Sequence, residues 1–251
     1  MMVPPCGGRV GSPIFGFGNE LNLNSRFYVG RTPYCFAPFF LAMNPLAHIL
    51  EHKVVAIVRG ADPQNLVRIA EALYAGGVRV MEVTLNSPGA LASIAEVSQA
   101  LAGRLLVGAG TVLDPESARA ALLAGAKFII SPTFSKKTVR MTKRYGAVSI
   151  PGAFTATEIL KAYECGGDII KVFPAGATGA GYFKDIAGPL SQIPLMPTGS
   201  IGLDNIKSFV AVGAAAFGLG SSLVDTKQAM TDEYWPQLTE KAQAFVAAVA
   251  G

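Results

Sequence analysis

The feature that most constrains the fold is the alternation of short β-branched runs with longer helical segments from residue 54 onward. The helical segments begin near Pro, Thr or Asp and end on glycine, as helix caps require. Eight strands with helices between them predict a parallel sheet that can close into a (β/α)₈ TIM barrel. An open, doubly wound sheet is the alternative, and the strand count and even spacing favour the barrel. The predicted strands span residues 54–59, 78–85, 105–112, 128–132, 148–153, 169–175, 194–200 and 216–224.

The length and composition agree with one barrel preceded by an irregular segment. A chain of 251 residues with 51% hydrophobic and 15% charged residues can bury a large core, and single barrels often have this length. We predict the barrel domain at residues 46–251. Residues 1–45 are rich in glycine and proline and lack helical periodicity, so we interpret them as an irregular N-terminal extension. A transit peptide is the alternative, but serine is sparse and no amphipathic pattern is present.

Charge, hydropathy and cysteine spacing exclude several kinds of partner. The net charge of +4 comes without a basic run, which argues against nucleic-acid binding and suits a small anionic ligand. The apolar stretch CFAPFFLA (35–42) is too short to span a bilayer, so no membrane partner is expected. The three cysteines lack paired spacing, which predicts a reducing, cytoplasmic location without disulfides or a zinc site. His48 and His52 could share a helix face as metal ligands, but we interpret them as surface residues.

Polar residues collect near the carboxyl ends of the predicted strands, where barrel active sites form. The amino ends carry far fewer polar residues; one of the few is Lys127, which precedes the fourth strand. This asymmetry predicts one polar site at the carboxyl-end rim. The residues at that end are Arg59, Glu82, Thr111, Ser131, Pro132, Lys171, Thr198, Gly199, Ser200, Gly220 and Ser221.

Lys171 interrupts the apolar strand in GGDIIKVFPAG (166–176), where a lysine needs a partner or a function. Alternation along the strands places Lys171 inside the barrel, and the same alternation places Glu82 inside. Burial lowers the pKa of a lysine, and a neutral amine can attack a ketone to form an imine. Glu82, with a pKa raised by burial, is the candidate acid and base for the proton transfers. A buried structural ion pair between the two residues is the alternative.

Two glycine-rich turns follow the seventh and eighth predicted strands, PTGSIG (197–202) and GLGSS (218–222). Many barrels hold a phosphate here with backbone N–H groups and a short helix N-terminus. Hydroxyls of Ser200, Ser221 and Ser222 could add donors. Glycine could instead serve only to form the turns, so each turn alone is a weak signal.

The ordered motifs EVTLNSP, VGAGTV, ISP, IPG, KVFPA and PTGSI resemble one family, from about residue 46 to the C-terminus. It is the class I aldolase family that cleaves 2-keto-3-deoxy-6-phosphogluconate (KDPG) and 4-hydroxy-2-oxoglutarate (KHG). The resemblance implies a homotrimeric (β/α)₈ barrel that releases pyruvate through a lysine Schiff base, with no metal and no cofactor. The products from the phosphorylated sugar acid would be pyruvate and glyceraldehyde 3-phosphate. The LNSP run is similar to the branch that acts on the 6-phosphogalactonate epimer.

The resemblance also implies roles for individual residues. Lys171 would form the imine and Glu82 would be the acid/base, while Arg59 would bind a substrate carboxylate. The pyruvate pocket would include Thr111, Pro132 and Phe173. The distal phosphate would contact Gly199, Ser200 and Ser221. Two positions depart from the pattern: Asn86 stands where many members have arginine, and Ser200 stands where many have a second glycine.

Two other functions fit the same sequence features. A phosphosugar isomerase or epimerase would use Glu82 as base and Lys171 as an electrostatic clamp. A catalytically silent phosphosugar-binding barrel would bind its ligand without turnover. The pairing of Lys171 with Glu82 and the phosphate-type turns place the aldolase first. The isomerase or epimerase is second, because residues 54–251 contain no histidine for a metal site, and the binding barrel is third, because no catalytic group is visibly lost.

Overall fold

The structure, a computed structural model, describes residues 44–250. The predicted extension at residues 1–45 therefore lies outside the described residues, except for Asn44 and Pro45. Each of the eight predicted strands is present but shorter than its sequence run. The fifth is divided into two short strands around Pro151, so nine strands lie within the described range. They are β1 Val54–Val58, β2 Val80–Thr84, β3 Leu106–Gly110, β4 Phe128–Ile130, β5 Val148–Ile150, β6 Gly152–Ala153, β7 Ile170–Val172, β8 Leu195–Pro197 and β9 Phe217–Leu219.

Parallel pairing closes these strands into a barrel. One sheet has the order β5-β4-β3-β2-β1-β9, and a second has the order β6-β7-β8. The chain connects the sheets directly, since β5 and β6 are the two halves of the predicted fifth strand. A parallel bridge between Thr198 and Gly218 connects β8 to β9 on the other side. The predicted (β/α)₈ barrel is therefore the observed architecture.

Helices cover the outside of the barrel and begin at the capping residues that the sequence predicts. The Asp114 carboxylate accepts from the backbone N–H of Ser117, and Thr155 and Glu158 form a reciprocal capping box. The last helix follows the eighth predicted strand, as the alternation of strands and helices requires. The helices are α1 Pro45–His52, α2 Leu66–Ala75, α3 Ala90–Ala100, α4 Pro115–Leu123, α5 Lys136–Arg144, α6 Ala156–Glu164, α7 Gly179–Ala187, α8 Ile206–Ala211 and α9 Tyr234–Val249.

The buried apolar residues form two layers, as expected when strand side chains alternate between faces. Val80 and Ile169 belong to the inner layer, inside the barrel. Their neighbours Met81 and Ile170 belong to the outer layer, between strands and helices. The alternation therefore directs Glu82 and Lys171 inward, as predicted. Phe173 was expected in a buried strand, but it follows β7 and is 40% exposed, because the strand ends before it.

The amino end of the barrel is covered by α1. Ile49 is fully buried and packs with the inner apolar layer, and Leu46 and Leu50 pack against the same layer. His48 and His52 are half-buried rather than on the open surface, since their helix lies against the barrel. Among the described helices, none is both long and apolar enough to cross a bilayer.

Candidate active site

A cavity of about 570 Å³ opens at the carboxyl ends of the strands. Ser131, predicted at the same end, does not line it. Among the nine residues to which the resemblance gives a role, Glu82 alone does not line it. The structure thus brings the other eight together from strands distant in sequence. Those eight lining residues are Arg59, Thr111, Pro132, Lys171, Phe173, Gly199, Ser200 and Ser221.

Lys171 projects from the middle of β7 and contributes to the floor of this cavity. Lys171 is 4% exposed, and its Nζ atom lies 5.3 Å from the centre of the Phe173 ring. Burial lowers the pKa of the Lys171 amine, the Glu82 carboxylate opposes that shift, and the positive charge of Arg59 adds to it. The result favours a neutral amine that is a nucleophile.

Glu82 lies in β2 and is 1% exposed. Neither of its carboxyl oxygens has a hydrogen-bond partner among residues 44–250. Burial raises the pKa of Glu82, and the positive charges of Lys171 and Arg59 oppose that shift. A buried carboxyl without a partner is unfavourable for folding, and a carboxyl with a raised pKa can both donate and accept a proton near neutral pH.

The room for Glu82 comes from a glycine in the neighbouring strand. Gly110 is paired in register with Thr84, and a Cβ atom at Gly110 would lie 2.5 Å from the Glu82 carboxyl carbon. A side chain at position 110 would therefore force the Glu82 carboxyl group to move. The neighbouring strand thus explains the glycine at position 110, which the sequence of β3 alone does not.

The alternative of a structural ion pair between Lys171 and Glu82 does not agree with the geometry. Within the described part of the chain, the ion pairs joined by 4.0 Å or less are Arg68–Asp232 and Lys143–Asp168. Lys171 and Glu82 influence each other's pKa without a direct contact of that length. The Lys171 amine and the Glu82 carboxyl therefore lie more than 4.0 Å apart.

Arg59 lies at the rim, and two side chains hold its guanidinium. Arg59 donates from Nη1 to Asn86 Oδ1 at 2.9 Å and from Nη2 to Thr111 Oγ1 at 3.2 Å. Asn86 is the position where many members of the resembled family have arginine. Here the amide at that position orients an arginine that comes from β1. In the next residue, Ser87 Oγ accepts from the Gly60 backbone N–H at 2.8 Å, so the LNSP run fixes the end of β1.

Two of the predicted site residues have left-handed backbone conformations. Thr111 has a φ of 55° and Ser200 has a φ of 56°, and neither is glycine. Such conformations are uncommon for residues with a side chain and concentrate at functional sites. The φ at Ser200 also explains why glycine would suit this position, since glycine adopts it without strain.

The cavity lining also includes residues to which the resemblance gives no role; of these, Thr198 was predicted at the rim, and Asp225, Thr226 and Lys227 were not. Thr198 is buried, and its hydroxyl has no hydrogen-bond partner among the described residues. Asp225, Thr226 and Lys227 follow β9 and line the same cavity. Thr226 Oγ1 donates to the backbone carbonyl of Arg59 at 2.6 Å, which joins the two rim segments. The clue in the sequence is the polar run VDTK (224–227), which lies just past the GLGSS turn at the end of the eighth predicted strand.

The fold and the cavity together indicate the class of enzyme. A (β/α)₈ barrel with a buried amine and a buried carboxyl at the carboxyl side of its strands is the arrangement of a lysine-dependent aldolase. Comparison with known proteins agrees. Residues 47–240 match the family model described as "Aldolase: KDPG and KHG aldolase". The chain belongs to this family.

Three relatives illustrate the similarity. The 2-dehydro-3-deoxy-6-phosphogalactonate aldolase of Escherichia coli (strain K12) is 33% identical over 78% of this chain and 93% of the relative. The 2-dehydro-3-deoxy-phosphogluconate aldolase of Treponema pallidum (strain Nichols) is 39% identical over 63% of this chain and 76% of the relative. The KDPG aldolase structure from Legionella pneumophila, with pyruvate captured as a covalent carbinolamine, has a TM-score of 0.73 and 30% identity, and the match covers 80% of this chain and 97% of that one.

Proposed function

We propose that this protein cleaves a 2-keto-3-deoxy-6-phospho sugar acid to pyruvate and glyceraldehyde 3-phosphate through a Schiff base on Lys171. The observation that carries the proposal is the buried Lys171 amine at the cavity floor, with a lowered pKa and no ion pair to Glu82. 4-Hydroxy-2-oxoglutarate, cleaved to pyruvate and glyoxylate, is the second substrate that we propose.

The reaction uses the two buried groups in turn. The neutral amine of Lys171 attacks the C2 carbonyl carbon and forms a carbinolamine. Protonated Glu82 gives its proton to the carbinolamine hydroxyl, which leaves as water and produces a cationic imine. The Glu82 carboxylate then takes the proton of the C4 hydroxyl while the C3–C4 bond breaks, and the bond electrons pass to the imine as an enamine. Protonation at C3 and hydrolysis release pyruvate.

The remaining residues would place the substrate across the cavity. Arg59 would bind the C1 carboxylate, since a guanidinium suits a carboxylate and Asn86 holds it at the rim. Thr111, Pro132 and Phe173 would form the wall around the pyruvate carbons. Gly199, Ser200 and Ser221 would bind the phosphate at the other end, because backbone N–H groups in glycine-rich turns suit anions.

Reduction with borohydride tests the Schiff base. The full chain incubated with pyruvate and sodium borohydride should lose activity and gain one reduced adduct, and peptide mapping should find it on Lys171. A parallel sample without pyruvate should stay active and unmodified. Full activity with an unmodified Lys171 would contradict the proposal.

A coupled assay with lactate dehydrogenase identifies the substrate. The assay measures pyruvate from both C4 epimers of the phosphorylated acid and from 4-hydroxy-2-oxoglutarate. We expect pyruvate from at least one phosphorylated epimer, and the ratio of kcat/KM values assigns the epimer. No pyruvate from any of the three compounds would contradict the aldolase activity and would favour the isomerase or binding-barrel alternative.

Lys227 is the additional residue that we propose for phosphate binding. It lies after β9, beside the serines of the GLGSS turn, and its exposed side chain reaches the cavity mouth. Lys227→Met should raise KM for the phosphorylated substrate about tenfold, the equivalent of about 1.4 kcal/mol. KM for unphosphorylated 4-hydroxy-2-oxoglutarate should stay the same, and an equal rise for both compounds would remove Lys227 from this role.

We also propose that the chain assembles as a homotrimer, as the family resemblance implies. Leu113 and Leu123, which flank and end α4, are 60% and 64% exposed, and large exposed apolar side chains suit an interface. Light scattering should give three times the 26.1 kDa chain mass. A monomer mass would contradict the proposed trimer without affecting the proposed reaction.

The cytoplasmic location stays a prediction from the cysteine pattern.

A further inference from the structure

Helix α1, at the amino end of the barrel, carries three metal-ligand side chains close together. In HILEH (48–52), His52 follows His48 by four residues and Glu51 follows it by three, and both spacings bring helix side chains together. One ligand atom from each of the three lies within 4.8 Å of the other two. The imidazole rings have centroids 4.4 Å apart and cross at 66°.

A second observation concerns the chemistry of His48. Its Nε2 atom is buried and has no hydrogen-bond partner among residues 44–250. An unpaired buried polar atom is costly, and native structures usually satisfy such atoms with protein, water or an ion. The buried nitrogen therefore points to a ligand that supplies the missing interaction.

We propose that His48, Glu51 and His52 bind one Zn²⁺ ion. Two imidazole nitrogens and one carboxylate oxygen are the ligand types that zinc prefers, at about 2.0–2.2 Å, with water in the fourth tetrahedral position. Tetrahedral geometry needs the ligand atoms roughly 3.3–3.5 Å apart, and the present separations are 4.8 Å at most. Rotation of the exposed Glu51 side chain adjusts these separations at little cost. Our interpretation of the histidines as plain surface residues had overlooked Glu51.

The position of the site defines its effect. Ile49, between the two histidines, inserts into the inner apolar layer, while the cavity lining includes no residue of α1. Zinc would therefore fix the helix that covers the amino end of the barrel, without contact with the reacting atoms. A ligand that binds the folded state more tightly than the unfolded state raises the midpoint of thermal unfolding.

Positive charge nearby sets a limit on the affinity. The guanidinium of Arg79 donates to the backbone carbonyls of Tyr74 and Val78 and lies over the Tyr74 ring. Its charge acts on His52, so a divalent cation is partly repelled. We expect a dissociation constant in the micromolar range, below about 100 µM.

Calorimetric titration of the full chain tests the site. The protein is treated with a chelator, transferred to chelator-free buffer and titrated with zinc chloride. We expect one equivalent of Zn²⁺ in the wild-type protein and a rise in the unfolding midpoint at saturation. The His48→Ala/His52→Ala variant should bind at least 100-fold more weakly, and Glu51→Gln about tenfold more weakly. Glu96→Gln, an exposed carboxylate on α3, is the matched control and should bind like the wild type.

Two outcomes of the titration would overturn the proposed zinc site. No binding tighter than about 100 µM, or equal binding in the double histidine variant, would overturn the site, the latter because the ion would lie elsewhere. If the double variant fails to fold, Glu51→Gln decides alone, since its side chain is exposed and the change preserves its shape. An unchanged affinity in that variant would overturn the proposal.

Discussion

The two ends of the barrel bury different kinds of side chain. At the amino end, α1 covers an apolar layer, and Ile49 and Phe128 are fully buried there. At the carboxyl end, a buried amine and a buried carboxyl lie more than 4.0 Å apart, and neither carboxyl oxygen has a hydrogen-bond partner among the described residues. Thr111 and Ser200 at this end have left-handed backbone conformations.

The amino end shares two of these features, since Lys53 has a left-handed φ of 58° and the buried His48 Nε2 has no hydrogen-bond partner among residues 44–250. The contrast therefore lies in the charged groups: the carboxyl end buries an amine and a carboxyl, which are unfavourable for folding, whereas an apolar layer fills the amino end.

If this contrast is correct, a change at Lys171 should remove activity and leave the fold intact. Lys171→Met keeps an unbranched side chain that is one atom shorter and has no amine nucleophile, so we expect at least a 10⁴-fold loss of kcat/KM, about 5.5 kcal/mol or more. The matched control is Lys127→Met at the amino end, an exposed residue that should keep wild-type activity. The coupled pyruvate assay measures activity, and circular dichroism verifies the fold. A Lys171→Met variant with substantial turnover would contradict the proposed chemistry.

Glu82→Gln should have the next largest effect. The amide has the same shape as the carboxyl but cannot move a proton, so kcat should fall about 10²–10⁴-fold. Stability should be unchanged or higher, since a neutral amide replaces a carboxyl that has no partner. Glu71→Gln, an exposed carboxylate on α2, is the control. A near-normal kcat in Glu82→Gln would exclude this residue as the acid/base.

Ile49→Ala at the amino end should give the reverse pattern. It removes a fully buried side chain from the inner layer, and we expect a loss of about 2–4 kcal/mol in the free energy of unfolding. At a temperature where the variant is still folded, kcat should match the wild type. Urea unfolding measures the first quantity and the coupled assay the second. A large fall in kcat with unchanged stability would reverse the assignment of the two ends.

Strand positions and side-chain directions were predictable because they depend on local patterns. Short apolar runs, most of them rich in β-branched residues, marked all eight strands, and alternation was enough to direct Lys171 and Glu82 inward. A lysine in an apolar strand is noticeable because burying its charge is costly. The same patterns predicted the glycine-rich rim and most of the cavity lining.

Features that depend on another segment of the chain were not predictable in this way. The need for glycine at Gly110 comes from the Glu82 side chain, which belongs to a different strand. Asn86 binds Arg59 across 27 positions of sequence, and Lys227 reaches the cavity through the path of a loop. The exposure of Phe173 depends on where β7 ends. Each of these facts requires the tertiary arrangement.

The smallest effect that we predict is a pH-dependent difference in the free energy of unfolding between Lys171→Met and the wild type. The folded-state pKa of Lys171 is lowered from its ordinary value of 10.5, mainly by burial. Between the folded-state pKa and 10.5 the unfolded chain binds a proton that the folded chain releases, so the lysine destabilises the folded state. The penalty shrinks as the pH rises toward 10.5 and disappears above it. Lys171→Met should therefore be the more stable protein at neutral pH, and its advantage should fall by at most about 1.4 kcal/mol per pH unit. Urea unfolding of both proteins from pH 7 to 10 measures the difference. An advantage that stays constant over this range would mean that the Lys171 amine carries the same charge in both states, and the carboxyl end would then not hold the unfavourable group that its chemistry requires.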